Sequence, residues 1–241
     1  MNRILFFSHG DKGGVGKSMT ATFAVEWLLK SGGLMLVETD PKQPDVGKRY
    51  WEDPDVTLAA LNLNRAGDAA NALARFGERL EKEGAERIVV NLPSGAGDTI
   101  DEFAGALREL ADGLGYRLIV TYGLDKGPIP TEAMIESLRS GLLSVVDIEN
   151  RWVVYPLCKG GLDVFNWYKD ERRKEGLIGE ISFPALKNAG AFSKLDNTEG
   201  RIARLIEGER PEGWGLFDQI SVREFYRQSI VAISPIFERV N

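Results

Sequence analysis

The stretch Asp11-Lys12-Gly13-Gly14-Val15-Gly16-Lys17-Ser18 follows an apolar run, Ile4–Phe7, and precedes a helical pattern that extends from Met19 to Lys30. Glycines between a strand and a helix let successive backbone N–H groups turn toward one point, where the helix N-terminus adds partial positive charge. The stretch therefore predicts a loop that binds a polyphosphate, in which Lys17 reaches the terminal phosphates and the Ser18 hydroxyl ligates Mg²⁺. A chance glycine turn is the alternative. We expect nucleotide contacts from Lys12, Gly13, Gly14, Val15, Gly16, Lys17, Ser18 and Met19.

The start of this loop departs from the common pattern. The strict spacing has a glycine five residues before Gly16, where this chain has Asp11, and the next residue is a second lysine, Lys12. A lysine at that position is not needed to cradle the nucleotide of its own chain. The segment from Lys12 to Ser18 resembles the deviant Walker motif of the ParA/MinD family, ATPases of plasmid and chromosome partition, division-site placement and conjugation. The similarity extends well from Arg3 to about Asp98.

This resemblance implies a dimer. In the family the first lysine of the motif reaches across to the nucleotide of the partner subunit, so the resemblance implies an ATP-bound homodimer with Lys12 as a catalytic residue. A solvated lysine is the alternative. We also expect a further protein partner or adaptor from this resemblance, which the sequence does not identify.

Composition limits the class of protein. The chain has 241 residues, of which 43% are hydrophobic, so we expect one α/β domain over residues 1–241 with a large core. No apolar run approaches the length of a membrane-spanning helix. The net charge of −6 disfavours a chain that coats nucleic acid, although a small basic patch could form in a dimer. Binding to DNA is therefore weakly supported.

Two residue types occur once each. Cys158 is the single cysteine, which rules out an internal disulfide and makes a reducing cytoplasm the simplest location. His9 is the single histidine, which rules out a histidine-rich metal site. Because His9 stands at the mouth of the glycine loop it could touch substrate, but a structural role is favoured.

Strand-like and helix-like patterns alternate along the chain. Strands are expected at about Arg3–Ser8, Leu34–Val37, Val56–Leu63, Arg87–Val90, Arg117–Tyr122, Trp152–Leu157 and Glu180–Phe183. Helices are expected at Lys17–Lys30, Asp68–Glu83, Asp98–Leu110, from a cap at Thr131 through Leu143, at Asp163–Lys174, and over most of the remainder. Nearly continuous apolar strands between helices predict an α/β fold, a mostly parallel, doubly wound sheet with helices on both faces.

Carboxylates at strand ends near the loop would hold Mg²⁺ and orient a water. Glu38-Thr39-Asp40-Pro41 resembles the family's Asp-x-Asp-Pro segment, its first switch, and the resemblance assigns water activation and a metal contact to Asp40. Glu38 is one methylene longer than the family's residue. A plain turn that begins at Asp40-Pro41 is the alternative.

The second switch also departs from the family. The run from Ile88 to Pro93 matches a hydrophobic strand that ends Asp-x-Pro, but Asn91 replaces the Asp. Because an amide carries no charge, it binds a metal's water shell more weakly than a carboxylate does. Asp98 could compensate. The expected metal residues are Ser18, Asp40 and Asn91, and we expect a weak, Mg²⁺-dependent ATPase.

Recognition of the base follows from the resemblance alone. The GTPase pattern Asn-Lys-x-Asp follows no strand, and in the family the ends of later strands line the adenine pocket. The matching positions are Pro156 with Leu157, then Phe183 with Pro184, so the resemblance implies ATP with contacts from Pro156 and Pro184. Family members commonly have Asn near the first position.

Three other segments have ordinary explanations. The aromatic cluster in Asp163–Tyr168 suits core packing better than a partner surface. The basic run Arg172–Lys174 suits a solvated helix face better than a DNA contact. The C-terminal stretch Val222–Val240 suits a docked helix, since it contains Ser234-Pro235 and lacks a lysine-rich polar face, so membrane binding is disfavoured.

The leading interpretation is an ATP-dependent dimerising switch of ParA/MinD type that serves plasmid or mobile-element partition or transfer. One alternative is a small-molecule phosphotransferase on the same loop, with Glu171–Lys174 as a thin basic lid. Another is an interaction protein that binds nucleotide with little or no hydrolysis, which Asn91 supports.

Overall fold

The fold is built on one parallel sheet. A computed structural model describes residues 3–10, 12–40, 44–61 and 69–238. Within these residues seven strands pair in the order β3-β2-β4-β1-β5-β6-β7, and every pairing is parallel. The strands are β1 (Arg3–His9), β2 (Leu34–Glu38), β3 (Val56–Ala60), β4 (Arg87–Asn91), β5 (Tyr116–Gly123), β6 (Arg151–Pro156) and β7 (Gly179–Phe183). The predicted α/β fold is confirmed. Five positions that the sequence argument used lie outside the described residues: Asp11, Pro41, Leu63, Asp68 and Val240.

Helices cover both faces of the sheet. Those in the described part of the chain are α1 (Lys17–Leu28), α2 (Ala69–Glu83), α3 (Gly97–Glu102), α4 (Ala104–Gly113), α5 (Pro128–Arg139), α6 (Asn166–Lys169), α7 (Ala189–Asp196), α8 (Ile202–Glu207) and α9 (Leu216–Phe237). Side chains of β1 alternate between the two faces, as the strand period requires. Leu5 and Phe7 pack in the core with α2, α4 and α5, whereas Phe6 packs in the core with α1, α7, α8 and α9.

The strand register determines which residues meet at the carboxyl edge of the sheet. β1 is central, and β4 lies between β1 and β2. Asn91 at the end of β4 is level with Ser8 of β1 on one side and with Glu38 of β2 on the other. Ligands of open parallel sheets bind outside the carboxyl ends of the strands, where successive strands diverge. The loops after β1, β2 and β4 therefore surround one location.

Three predicted helices differ from the structure. Helix α5 begins at Pro128, which suits a first helical position, so Thr131 is a buried residue inside the helix rather than its cap. This helix ends at Arg139, before Leu143. The helix predicted from Asp98 to Leu110 is two helices, because Phe103 leaves helical geometry between α3 and α4.

The predicted helix Asp163–Lys174 is wrong. The region contains only one short α-helix, α6, between 3₁₀ turns, because Phe165 and Asp170 have extended backbone angles. Phe165 and Trp167 are almost fully buried, and the Asp170 side chain accepts a hydrogen bond from the N–H of Arg172. Core packing and a local cap therefore outweigh helix propensity. The expected core role of the aromatic cluster is confirmed.

The C-terminal helix is docked, as expected. Val222, Phe225, Ile233 and Ile236 of α9 are buried, and the ring of Phe225 lies 5.4 Å from that of Phe23 in α1, edge to face. Helix α9 continues through Pro235. In the part of the chain that the structure describes, no helix combines the length and apolar character that crossing a bilayer requires.

Candidate functional site

The glycine-rich segment forms a tight connection between β1 and α1. Gly14 and Gly16 have φ values of 71° and 83°, in the left-handed region that glycine tolerates without strain. Gly16 is the N-cap residue of α1, and its carbonyl accepts a hydrogen bond from the N–H of Thr20 at 2.8 Å. The first N–H groups of a helix have no acceptor within the helix, so this end of α1 offers donors to an anion.

The loop is held against the end of β5 by close backbone contact. A Cβ atom built on Gly123 would lie 2.6 Å from the carbonyl oxygen of Val15, well inside van der Waals distance. A Cβ atom on Gly10 would lie 2.9 Å from the oxygen of Gly123. Val15 itself is buried. Glycine at these positions therefore sets how deeply the loop sits in the sheet edge.

Lys17 and Ser18 are the first two residues of helix α1, and the side chain of each donates a hydrogen bond to an oxygen atom. Lys17 is only 7% exposed, and its Nζ donates to the carbonyl of Lys12 at 2.6 Å. The hydroxyl of Ser8 donates to the carbonyl of Lys17 at 2.8 Å, which ties α1 to β1. The hydroxyl of Ser18 donates to Oδ2 of Asp45 at 3.2 Å. The sequence analysis missed Asp45, although its position soon after Asp40 in the chain was a usable signal.

A cavity of about 110 Å³ lies between this loop and the ends of β2 and β4. It brings together all three residues predicted to contact a metal, Ser18, Asp40 and Asn91. The lining consists of Gly13, Gly14, Lys17, Ser18, Glu38, Asp40, Asp45, Asn91, Leu92, Pro93 and Ser94. Asp98 is exposed on the first turn of α3 and does not line the cavity, so the structure does not bring it to the position where it would compensate for Asn91.

Glu38 is a bonded, buried carboxylate. Its Oε1 accepts hydrogen bonds from the N–H groups of Val46 at 2.8 Å and Gly47 at 2.6 Å, and its Oε2 accepts one from Nδ2 of Asn91 at 3.0 Å. Burial raises the pKa of Glu38, and these three bonds oppose that effect by favouring the ionised form. Glu38 therefore links β2, β4 and the segment that starts at Val46.

The other polar atom of Asn91 has no such partner. Its Oδ1 is buried without a hydrogen-bond partner among the described residues. Ser18, Asp40, Asp45 and Asn91 all line this one cavity and all have oxygen atoms in their side chains, and hard oxygen ligands are those that Mg²⁺ prefers. The described residues contain no cluster of three or more His, Cys, Asp or Glu side chains that could hold a metal. This set fits Mg²⁺, which is commonly held by one or two carboxylates, waters and ligand phosphates.

A second, larger cavity of about 440 Å³ adjoins the start of α1. Of the predicted nucleotide contacts, Gly14, Gly16, Lys17, Ser18, Met19 and Pro156 line it. Its apolar part includes Phe183, Phe192, Leu195, Ile202 and Phe225, with Cys158, exposed and without a disulfide, at its edge. Phe192 comes from α7, which no strand-end rule would predict.

Pro184 does not line this cavity. It lines a different, open one with Glu224, Arg227 and Val231 of α9. Phe183, the last residue of β7, packs on the α1 face, and Pro184 lies beyond the end of that strand.

Lys12 lies outside both cavities. It is exposed, in contrast to the buried Lys17. The pKa of Asp125, just beyond β5, is lowered chiefly by its hydrogen bond to Lys159 at 2.9 Å, and the charge of Lys12 adds to this effect. The charge of Lys12 is therefore within electrostatic range of Asp125. Val15, also predicted as a contact, lines neither cavity.

The segment Gly47–Tyr50 is anchored to the C-terminal part of the chain. Arg49 donates a hydrogen bond to the carbonyl of Leu195, and its own carbonyl accepts one from the N–H of Gly200 at 2.7 Å. Tyr50 donates from its hydroxyl to Oε1 of Glu26 at 3.0 Å. The same oxygen accepts from the first N–H of α8 at 2.7 Å. Burial raises the pKa of Glu26, against the hydrogen bonds that favour its charged form.

His9 has the structural position that was favoured. It is buried, its ring packs edge to face on Tyr122 at 4.8 Å, and its Nε2 lies 3.7 Å from Oδ1 of Asp101. Burial acts to raise the pKa of Asp101, but contacts with His9, the N–H of Leu142 and the hydroxyl of Ser137 lower it. His9 does not line either cavity of the site.

The basic run Arg172–Lys174 is engaged by neighbouring carboxylates. Arg172 pairs with Glu132 and Asp170, each at 2.6 Å. Arg173 pairs with Glu180 at 2.7 Å, and Lys174 pairs with Glu171 at 2.5 Å. The charge of this run is therefore neutralised locally, which disfavours it both as a phosphate-binding lid and as a DNA contact.

Comparisons with known proteins give limited matches. No family profile matches the chain. It is 37% identical to Protein MobD of Acidithiobacillus ferrooxidans over 67 residues, which are 27% of this chain and 29% of MobD, so the matched part spans under a third of that relative. Among solved structures, a nucleotide-binding protein from Archaeoglobus fulgidus, in complex with ADP, aligns with a TM-score of 0.45 and 14% identity over 79% of this chain and 85% of that one.

The contact between the loop and β5 predicts the effect of one methyl group. Gly123→Ala should destabilise the protein by about 1–3 kcal/mol, because the new Cβ atom must displace the carbonyl of Val15. Gly113→Ala is the matched control, since nothing lies within 4 Å of its Cβ position and Ala is favoured in a helix. Urea unfolding followed by circular dichroism measures both. Equal midpoints for the two variants would show that the close contact does not restrain the loop.

Proposed function

We propose that this chain binds ATP with Mg²⁺ and acts as a slowly hydrolysing, dimerising switch of ParA/MinD type. The observation that carries the proposal is the meeting of Lys17, Ser18, Asp40 and Asn91 around one cavity at the N-terminus of α1. We base a role in plasmid or mobile-element partition or transfer on the family resemblance. The local similarity to MobD supports this role.

The two adjoining cavities suit the two parts of a nucleotide. The smaller one has polar walls and the donor end of α1, which suits phosphates. The larger one, at about 440 Å³, lies within the usual size range of small-molecule sites and has an apolar wall that includes Phe183 and Phe192. Lys17 and Ser18 line both, so a molecule that spans them would place its phosphates at the start of the helix.

Charge balance supports a divalent cation with the nucleotide. The lining of the smaller cavity contains three carboxylates, Glu38, Asp40 and Asp45, and one cation, Lys17. A polyphosphate alone would meet net negative charge there, which a bound Mg²⁺ would offset. Ser18, Asp40 and Asn91 are the residues we assign to it, with Asp45 as a further candidate. When bound, Mg²⁺ would neutralise charge that develops on the transferred phosphoryl group.

The residues of the chain have separate roles in this proposal. Lys17 supplies positive charge to the terminal phosphates, and the apolar wall around Pro156 excludes water from the base. Asp40 accepts a hydrogen bond from the attacking water and orients it. Lys12, exposed and outside both cavities of its own subunit, is available to the nucleotide of a second copy. The engaged basic run at Arg172–Lys174 gives the phosphotransferase alternative no support.

Loss of the loop lysine should abolish tight nucleotide binding. In Lys17→Ala the dissociation constant for ATP should rise by about 10- to 150-fold, since a hydrogen bond to a charged group contributes about 1.5–3 kcal/mol. Lys82→Ala, an exposed lysine on α2, is the control for the same change of charge. Calorimetric titration with ATP and Mg²⁺ measures affinity, and a thermal melt checks the fold. Unchanged affinity in folded Lys17→Ala would remove the phosphate-loop assignment.

The lysine at the start of the loop should act between subunits. Lys12→Ala should bind ATP nearly as well as wild type but should not dimerise, because Lys12 is exposed and lines neither cavity of its own subunit. Size-exclusion chromatography with a slowly hydrolysed ATP analogue should shift wild type and Lys82→Ala from the 26.6 kDa monomer to twice that mass. The dimer proposal is wrong if wild type stays monomeric under these conditions, or if Lys12→Ala shifts equally.

The switch carboxylate should control turnover. Asp40→Ala should lower single-turnover ATP hydrolysis by about 10²-fold or more, the usual contribution of a positioned base, while ATP binding persists. Asp98→Ala is the control, since Asp98 is exposed and outside the cavity. Hydrolysis of Asp40→Ala at the wild-type rate would mean that another group, with Asp45 the first to test, orients the water. No hydrolysis even in wild type would favour an interaction protein that binds nucleotide without cycling.

A further inference from the structure

Glu38 and Asn91, which depart from the two switch segments of the family that the sequence resembles, are hydrogen-bonded to each other. They are level in the register of β2 and β4, and are 5% and 6% exposed. Nδ2 of Asn91 donates to Oε2 of Glu38 at 3.0 Å, and the other carboxylate oxygen is occupied by two backbone N–H groups. The two departures are therefore one structural unit, in which a carboxylate faces an amide.

This pairing determines which way the amide is turned. An ionised carboxylate only accepts hydrogen bonds, whereas an amide has a donor end and an acceptor end. Asn91 must present Nδ2 to Glu38, so its Oδ1 is turned away. That oxygen is buried without a partner among the described residues, and Asn91 lines the smaller cavity. Buried acceptors are rarely left unpaired in proteins, and this one belongs to a residue that lines a polar cavity, where a bound cation could be its partner.

We infer that Glu38 is a positioning residue: it orients the Asn91 amide so that Oδ1, and not Nδ2, is offered to the Mg²⁺ of a bound nucleotide. This inference rests on the proposed function and adds a role that the resemblance does not assign. Two carboxylates within hydrogen-bond distance would repel each other, because an ionised carboxylate has no hydrogen to donate. With Glu38 in place, an amide at position 91 is thus the side chain that can both donate to it and present an oxygen to the cavity.

The decisive experiment exchanges donor and acceptor. In Glu38→Gln the new amide keeps an oxygen for Val46 and Gly47 but offers N–H to Asn91. Asn91 must then turn Oδ1 toward the new amide at position 38 and present Nδ2 to the cavity. The Mg²⁺ concentration that half-saturates its effect on ATP affinity should rise by about 10- to 100-fold, the usual effect of losing a group that orients a ligand. ATP affinity measured in EDTA should not fall below that of wild type, since the loop is untouched and the cavity loses one negative charge.

In the double variant Glu38→Gln/Asn91→Asp, the half-saturating Mg²⁺ concentration should return toward the wild-type value. Here the new amide donates to the new carboxylate, whose second oxygen is again offered to the cavity. Asn91→Asp alone should require a higher Mg²⁺ concentration for half-saturation than the double variant does, because it places two carboxylates against each other. Glu52→Gln, the same change on an exposed side chain, is the control and should match wild type. Calorimetric ATP titrations across a Mg²⁺ series measure all five proteins, and circular dichroism confirms their folding.

The outcomes separate the two proposals. If wild type does not bind ATP, the proposed function and this inference both fail. If wild type binds ATP with Mg²⁺ but folded Glu38→Gln has the same Mg²⁺ dependence, or the double variant is no better than Glu38→Gln, this inference alone fails. Should Glu38→Gln and the double variant both be unfolded, Asn91→Ala decides. This variant removes Oδ1, so its half-saturating Mg²⁺ concentration should rise by about 10- to 100-fold, as expected for Glu38→Gln. The same Mg²⁺ dependence as wild type would overturn the inference.

Discussion

The lateral position of β4 between β1 and β2 is the constraint on which the site depends. Because all three strands are parallel and in register, Asn91 is level with Ser8 and with Glu38. The hydroxyl of Ser8 in turn holds the carbonyl of Lys17 at the start of α1. A shift of one residue in either pairing would turn these side chains to the opposite face of the sheet. The chemistry at the edge is thus fixed by the same hydrogen bonds that build the core.

Buried charge shapes this region. Glu26 and Glu38 are both buried carboxylates whose pKa burial raises, and each is surrounded by N–H or O–H donors that favour its ionised form. A buried charge without such partners would be strongly unfavourable. Both carboxylates accept from backbone groups of separate segments, so they fix the paths of those segments as well as satisfying their own charge. Side chains of this kind are sensitive to small changes, because removal of one donor leaves an unpaired group.

The sequence carried the central features of the fold and part of the site. Apolar runs between helical patterns were sufficient for the parallel sheet, and the glycine loop lies between β1 and α1 as expected. The glycine-loop motif predicts Ser18, and the strand ends predict Asp40, Asn91 and Pro156; all four line the cavities, because the ends of parallel strands share one edge. Pro184, the other predicted base contact, lines a different cavity from Pro156, and the sequence pattern alone does not show how the chain continues after β7.

What the sequence could not supply depended on contacts between distant segments. The role of Glu38 as an acceptor for Asn91, and the presence of Phe192 in the larger cavity, each require knowledge of how separate elements pack. The predicted helix Asp163–Lys174 failed for a related reason, because burial of Phe165 and Trp167 set the backbone path against local propensity. Local sequence patterns indicate only local conformational preference, whereas these features depend on contacts with residues that are distant in the sequence.

The anchored segment Gly47–Tyr50 has a thermodynamic consequence for any ligand of the smaller cavity. Its backbone is already fixed by Glu38 at one end and, at the other, by helix α7 through Arg49 and by helix α1 through Tyr50. Fixing the backbone of one residue costs about 1–2 kcal/mol of conformational entropy, and here folding rather than binding has met that cost. A ligand that engages the preceding residues, Asp45 among them, therefore binds beside a restrained segment, and more of its interaction energy remains as affinity.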